Sequence, residues 1–275
     1  MLEIPEALVI ANQLNQTVKG RKIARVVVGQ SPHKFAFFLG DPQLYEAMLI
    51  GKSVGPAAAK GGMVAIEIED STLVLADGVD IRFQDDASAQ PRKHQLLIEF
   101  TDQSSLSVSI QMYGGIWCFL NGAFDNSYYQ VACQKPSPLT DGFNWDYFVR
   151  LISASEQEKL SAKALLATEQ RIPGLGNGVL QDILYCSGIH PKKKASKLTA
   201  LDQERLFHSI KDTLATMVHQ GGRDTERDLF GQPGGYQTRL SRLTAGKPCP
   251  VCGQLIRKEA YLGGSIYFCE GCQVL

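Results

Sequence analysis

Four cysteines near the end of the chain carry the clearest chemistry. Cys249 and Cys252 form one CxxC pair, Cys269 and Cys272 another, with sixteen residues between the pairs. Each pair can reach one metal ion from a tight turn, and the segment between them has the length of a β-hairpin. Four thiolates suit tetrahedral zinc and leave no open coordination position, so the expected cofactor is one structural Zn2+. Disulfides and a redox CxxC are the other uses of such pairs. Two pairs at this spacing, in a chain that opens without a secretory pattern, favour zinc. Cys118, Cys133 and Cys186 are scattered and are expected to be buried apolar fillers.

The second feature is the stretch Arg171-Ile172-Pro173-Gly174-Leu175-Gly176-Asn177. Good helix formers precede it at 162–168, and Val179, Leu180, Ile183 and Leu184 give one apolar helix face after it. Pro173 ends a helix, and two glycines within three residues allow backbone angles that other residues avoid. The stretch reads as a helix-turn-helix corner with Asn177 near the start of its second helix. The free N–H groups of such a start, around Gly176 and Asn177, attract anions, phosphate above all. Most corners of this kind hold no ligand, and a plain helix cap is as common a role for Asn177.

The elements that must position these groups fall into two regions. Helices are expected at 3–18 and 41–50. Strands are expected at 22–28, 34–39, 63–68, 72–76, 95–100, 106–110 and 115–120, from alternating apolar residues and the turn signals Gly61-Gly62, Asp77-Gly78 and 102–104. This is a β-rich sandwich or barrel with an N-terminal helix, spanning 1–134. A proline-containing linker follows at 135–142. A helical domain at 143–246 has helices at 145–152, 155–168, 177–187 and 201–220, and the cysteine hairpin occupies 247–275. The fold class is therefore α+β. No internal repeat is visible.

Charge and composition narrow the function. Lys and Arg number 28, Asp and Glu 28, so the net charge is zero, and hydrophobic residues make up 44%. These are values for a globular chain, and no apolar run is long enough to span a membrane. Two acids, Glu3 and Glu6, precede the first basic residue, Lys19, which is not a secretory pattern, so a cytoplasmic protein is expected; a monomer is expected as well. A neutral chain argues against general polyanion binding but permits a local basic patch. Lys192, Lys193, Lys194 and Lys197 crowd one stretch, and Arg239, Arg242, Lys247, Arg257 and Lys258 cluster near the end.

The order of these parts is distinctive: Glu3 and Pro5-Glu6 opening a helix, a β-rich region, Gly174-Leu175-Gly176-Asn177, Ser187-Gly188-Ile189-His190-Pro191, and a four-cysteine hairpin ending in Gln273. The chain resembles the formamidopyrimidine-DNA glycosylase / endonuclease VIII family over essentially its whole length. The resemblance implies a protein that clamps damaged or abasic DNA between two domains and flips a base out of the stack. The family attacks the sugar with the amine of an N-terminal proline and then cleaves the strand, as a DNA glycosylase and lyase of base excision repair. On that reading Glu3 and Glu6 match the family's acidic positions. Lys60 lies near the family's hairpin lysine, and Lys163 and Asn177 match residues that grip a phosphate.

The departures are as informative. Position 2 is Leu2, not proline, so a free amine would belong to Met1, one residue out of place. A misplacement of about 1 Å can cost two orders of magnitude in rate. The family fills the space left by the flipped base with a methionine, an arginine and an aromatic residue. Here the corresponding stretches read Ala76-Asp77-Gly78-Val79 and Gln111-Met112-Tyr113-Gly114, which leaves Tyr113 as the candidate wedge. The family's arginine five residues before the third cysteine is Gly264 here. Three readings follow. The first is a glycosylase weakened at Leu2 that uses Met1 or Lys60 instead. The second is a non-catalytic DNA- or RNA-binding protein on the same scaffold. The third is a protein-interaction module, favoured only by the neutral charge. The first two lead.

Overall fold

The computed structural model describes residues 1–86 and 91–275. The N-terminal region is built on one seven-stranded sheet. Its strands are β1 (Ile23–Val28), β2 (Ala36–Phe38), β3 (Val54–Lys60), β4 (Met63–Ile68), β5 (Ser71–Gln84), β6 (Leu96–Phe100) and β7 (Ser105–Leu120). The order is β1-β6-β7-β5-β4-β3, with β2 laid parallel against β7 and every other pairing antiparallel.

β5 and β7 are long because they serve two halves of the sheet. The first half of β5 pairs with β4, and the first half of β7 pairs with β6. Val64, Ile66, Leu73 and Leu75 from one half share a core with Ile81, Phe83, Ile98, Leu106 and Val108 from the other. The sheet thus closes over itself as a sandwich.

The hinge between the halves corrects two expectations. Asp77-Gly78 is not a chain reversal, and 106–110 and 115–120 are one strand. The register jumps between Asp77, paired with Gly114, and Val79, paired with Ile110. Residues 111–113 therefore bulge out opposite Gly78, which re-aims their side chains. Asp77 takes a positive φ of 62°. A Cβ on Gly78 would fall on the Tyr113 carbonyl oxygen, so only glycine lets the two strands meet there.

Two elements escape a reading by propensity. β3 has the sequence VGPAAAK, poor in β-formers. It is an edge strand, where proline is tolerated, and β4 supplies its register. α3 (Ser127–Gln134) carries Tyr128 and Tyr129 in its first turn. Its start is set by the Asn126 side chain, which accepts from Tyr129 N at 3.0 Å. Ala132, with Phe124 and Tyr129, covers the outer face of the sheet at Met63, Val74 and Phe119.

α2 (Leu44–Leu49) lies within the expected 41–50. The helical region holds α4 (Trp145–Ile152), α5 (Ala162–Ala167), α6 (Asn177–Ser187) and α7 (Ala200–His219). The single helix expected at 155–168 is instead a short 3-10 turn, Ser155–Gln157, followed by α5. Ser161 starts α5 by accepting from Ala164 N at 3.2 Å. Phe143, Phe148, Leu165, Val179, Leu180, Ile183, Ile210 and Leu214 form a second core. Among the described residues no helix is long and apolar enough to cross a membrane.

α1 (Ile4–Thr17) belongs to both cores. Ala7, Ile10, Ala11 and Leu14 pack into the sheet core, while Ile4 and Leu8 pack into the helical one. The loop after α7 returns to the sheet, where Leu229 joins its core and accepts from Phe83 N at 2.9 Å. The β3–β4 turn closes the other side. Gly61 lies against Pro173, and Gly62 against Gly174.

Gly174 has φ +79°, and a Cβ there would fall on the Gly62 backbone nitrogen. Gly174→Ala should therefore lower stability by more than about 2 kcal/mol in urea unfolding. A change within 0.5 kcal/mol or so would show that the turn and hairpin separate at no cost.

Candidate functional site

The first residues of the chain run between the two regions. Leu2 N donates to Asp77 O at 2.8 Å, and Ile4 N donates to Gly174 O at 3.0 Å. The Leu2 side chain is buried in the sheet core. The Met1 amine pairs with Glu226 from the loop after α7.

Glu3 is buried, and its carboxylate accepts from Gly178 N at 2.8 Å and Val179 N at 2.7 Å. These are N–H groups of the first turn of α6. The anion expected at that helix start is thus a carboxylate of the protein itself. Gly176, not Asn177, is the cap residue, and it supplies no side chain. A Cβ on Gly176 would come within 2.6 Å of Glu3.

Arg223 completes this junction. It is one of the largest fully buried side chains. Its Nε and Nη2 donate to the Glu6 carboxylate at 2.9 and 2.7 Å, and its Nη1 lies 3.3 Å from Glu3 Oε2. Burial pushes the Glu3 carboxyl above its usual range, against the pull of Arg223. Burial alone would lower Arg223, but Glu3 and Glu6 raise it above its ordinary value. A buried carboxylate pair demands a cation. The composition holds 28 basic residues, and nothing in their spacing singles out this one.

A cleft of about 760 Å³ opens between the two regions. Met1, Leu2 and Glu3 line its floor, Asp77, Met112, Tyr113 and Tyr128 one wall, and Gly174, Gly176, Asn177, Gly263 and Gly264 the other. Its charged lining side chains are Glu3, Asp77 and Glu169, and neither Lys nor Arg is among the described lining residues. Tyr128 hydrogen-bonds the Asp77 carboxyl, which burial pushes up. The cleft takes in Gly62 of the β3–β4 turn but not Lys60, which ends β3. Glu6 faces away, toward Arg223.

Lys163 and Asn177 come together at the rim, next to the C-terminal hairpin. That hairpin is β8 (Arg257–Tyr261) and β9 (Gly264–Phe268). Lys163 Nζ donates to Tyr261 O at 2.6 Å, and Asn177 Nδ2 donates to Ser265 O at 2.8 Å. Burial lowers the Lys163 ammonium. A Cβ on Gly264 would lie 3.5 Å from Lys163 Nζ and 3.6 Å from Asn177 Nδ2. Any side chain at 264 would therefore stand beside both groups, and glycine leaves that corner open.

Cys249, Cys252, Cys269 and Cys272 form one cluster, their sulfurs within 4.8 Å of one another. Cys249 and Cys272 are 3.7 Å apart, and Cys252 and Cys269 are 3.3 Å apart. A tetrahedron with Zn–S bonds of about 2.3 Å has S···S edges of about 3.8 Å, so the four thiols fit a metal. Tyr185 of α6 places its hydroxyl 3.1 Å from Cys249 Sγ, an outer-sphere contact that sequence spacing does not reveal. Of the remaining cysteines only Cys118 is buried; Cys133 and Cys186 are exposed. Their helices present them on outward faces.

Fold and site together define a two-domain chain with a helix-two-turns-helix corner, a four-cysteine hairpin and a cleft between domains. The profile of the Formamidopyrimidine-DNA glycosylase H2TH domain matches residues 135–228. Curated relatives named formamidopyrimidine-DNA glycosylase include one from Wolbachia pipientis subsp. Culex pipiens, 27% identical over 99% of this chain and 100% of its own. Another, from Bacillus anthracis, is 26% identical over 99% of both chains. The MutM (Fpg) protein of Thermus thermophilus superposes with a TM-score of 0.81 at 22% identity, covering 98% of each chain. Lactococcus lactis Fpg bound to abasic-site DNA gives 0.83 at 21% identity, covering 98% of this chain and 99% of that one. Residues 135–228 thus match the H2TH domain of formamidopyrimidine-DNA glycosylase, and nearly the whole chain is similar to proteins of that name.

Removing Arg223 would leave Glu3 and Glu6 buried together without a cation. Arg223→Ala should cost about 3–5 kcal/mol of unfolding free energy. Denaturant unfolding measures it, and a loss below about 1 kcal/mol would mean that the carboxyls are simply neutral when buried.

Proposed function

We propose that this chain binds damaged or abasic DNA in the cleft between its domains, with the family's strand-cleaving chemistry weakened. The observation that carries the second half is at Leu2. Its nitrogen is an amide, and its N–H is spent on Asp77 O at 2.8 Å. An amide nitrogen is not a nucleophile, so the atom that matches the family's attacking amine cannot react. The Met1 amine is tied to Glu226, which holds it in an ion pair rather than free for attack on a sugar. Glu3 and Glu6 serve structural bonds here, and neither Glu6 nor Lys60 lines the cleft. These features favour lesion binding over excision of oxidised bases.

DNA binding rests on the likeness to formamidopyrimidine-DNA glycosylases and on similar proteins solved as complexes with Fapy-dG or abasic-site DNA. With no Lys or Arg among the described residues of the lining, the grip on phosphate falls to the rim. Lys163 and Asn177 flank the open corner at Gly264, and a phosphate there would take over the bonds they now make to Tyr261 O and Ser265 O. A relocated nucleophile is the second reading, because Met1 itself lines the cleft.

Borohydride trapping on an abasic oligonucleotide separates the two. The unmodified protein should bind that DNA yet give little or no trapped adduct. Leu2→Pro, which lets Met1 be removed and sets a secondary amine beside Glu3, should exceed it by about a hundredfold or more. Robust trapping by the unmodified chain, abolished by acetylating the Met1 amine, would establish the relocated nucleophile. Absence of any binding to abasic DNA would overturn the proposal.

The metal follows from the four thiols. Purified protein should contain about one zinc per chain, and chelation should melt the hairpin locally while the sheet region stays folded. Tyr185→Phe should weaken zinc retention by about tenfold or more in competition with a chelator. Protein free of zinc without chelator treatment would refute the assignment.

A further inference from the structure

The wall of the cleft continues outward along the sheet edge. β2 pairs Ala36 with Gly114, Phe37 with Gly115 and Phe38 with Ile116, and Gly114 N donates to Phe35 O at 3.1 Å. Extending that register by one residue sets Phe35 beside Tyr113. Side chains alternate along a strand. Ala36 and Phe38 pack onto the sheet core, so Phe35 and Phe37 point the other way. They are 48% and 53% exposed. Gly115, the partner of Phe37 on β7, has no side chain of its own, and the Trp117 ring lies beside it on the same face. Met112, at the tip of the bulge, is 65% exposed, and Tyr113 and Tyr128 are exposed as well.

Three of these side chains, Met112, Tyr113 and Tyr128, also line the cleft. The row is therefore continuous with the site. At its outer end Lys34 Nζ stands 5.4 Å from the centroid of the Phe35 ring, and His33 lies edge-on to it. A contiguous exposed apolar patch marks a binding surface. Flat aromatic faces with a cation beside them suit unpaired bases whose backbone passes that cation. A duplex hides its base faces within its own stack and offers aromatic rings only edges and phosphates.

We infer that Phe35, Phe37, Met112 and Tyr113 form a stacking platform for the unpaired bases of a single strand leaving the cleft along the sheet edge. This rests on the nucleic-acid reading proposed above and specifies the form of strand it takes. The preferred ligand is a lesion with a single-stranded flank.

Fluorescence anisotropy tests it with one labelled abasic oligonucleotide, single-stranded and annealed to its complement. The double substitution Phe35→Ala and Phe37→Ala should weaken single-strand binding by at least about tenfold and duplex binding by less than about threefold. Phe35→Tyr with Phe37→Tyr should retain single-strand affinity, and 2-aminopurine in the flank should be quenched on the unmodified protein. Unchanged single-strand affinity in the alanine variant overturns the platform, as does an equal loss on both forms. Tight duplex binding with no single-strand binding by the unmodified protein removes the platform alone. Binding to neither form removes the nucleic-acid reading with it. Circular dichroism checks that these exposed positions leave the fold intact.

Discussion

One buried cation holds the architecture together. Arg223 comes from the loop after α7 and reaches Glu3, which caps α1, and Glu6 in its first turn. Three charges without solvent carry a large desolvation cost, which only close, well-directed bonds offset. That requirement fixes geometry more than it adds stability. Arg223 must sit where both carboxylates converge, and Glu3 must also face the N–H groups at the start of α6. The glycines follow from the same crowding. A Cβ on Gly178 would fall on Arg223 Nη1, and one on Gly176 would press on Glu3.

The junction makes α1 a shared part rather than a member of one domain. Its N-terminal end is fixed to the helical region by charge, and its length is fixed to the sheet by Ala7, Ile10, Ala11 and Leu14. The floor of the cleft is therefore made of the chain's first residues. Leu2 donates to the β5 hinge and Ile4 to the turn at Gly174. A segment so bound links the two domains through backbone bonds and charge. It holds the distance between the domains, and it leaves position 2 with a buried side chain and an occupied amide.

The walls follow from local departures in the strands. The bulge opposite Gly78 turns Met112 and Tyr113 out of the sheet and into the cleft. On the facing wall, Gly264 opens the corner where Lys163 and Asn177 meet the hairpin. The result is a cleft with aromatic and acidic side chains in its walls and the Lys163 ammonium beside its open corner at Gly264.

Much of this was legible from spacing alone. The four cysteines, the break at Pro173 to Gly176 and the apolar face of α6 are short-range patterns, and each reflects local geometry that needs few neighbours. The strands with clean alternation, such as Met63–Ile68, were readable for the same reason. β3 was not, because an alanine-rich edge strand takes its conformation from its partner. The Asp77-Gly78 signal read as a turn because a bulge and a turn use the same residues. Only the tertiary structure revealed Arg223 as the partner of Glu3 and Glu6, and Glu226 as that of Met1. Such pairs lie more than two hundred residues apart in the chain. Residue type states that a buried carboxylate needs a partner; only the packing of two domains decides which cation arrives.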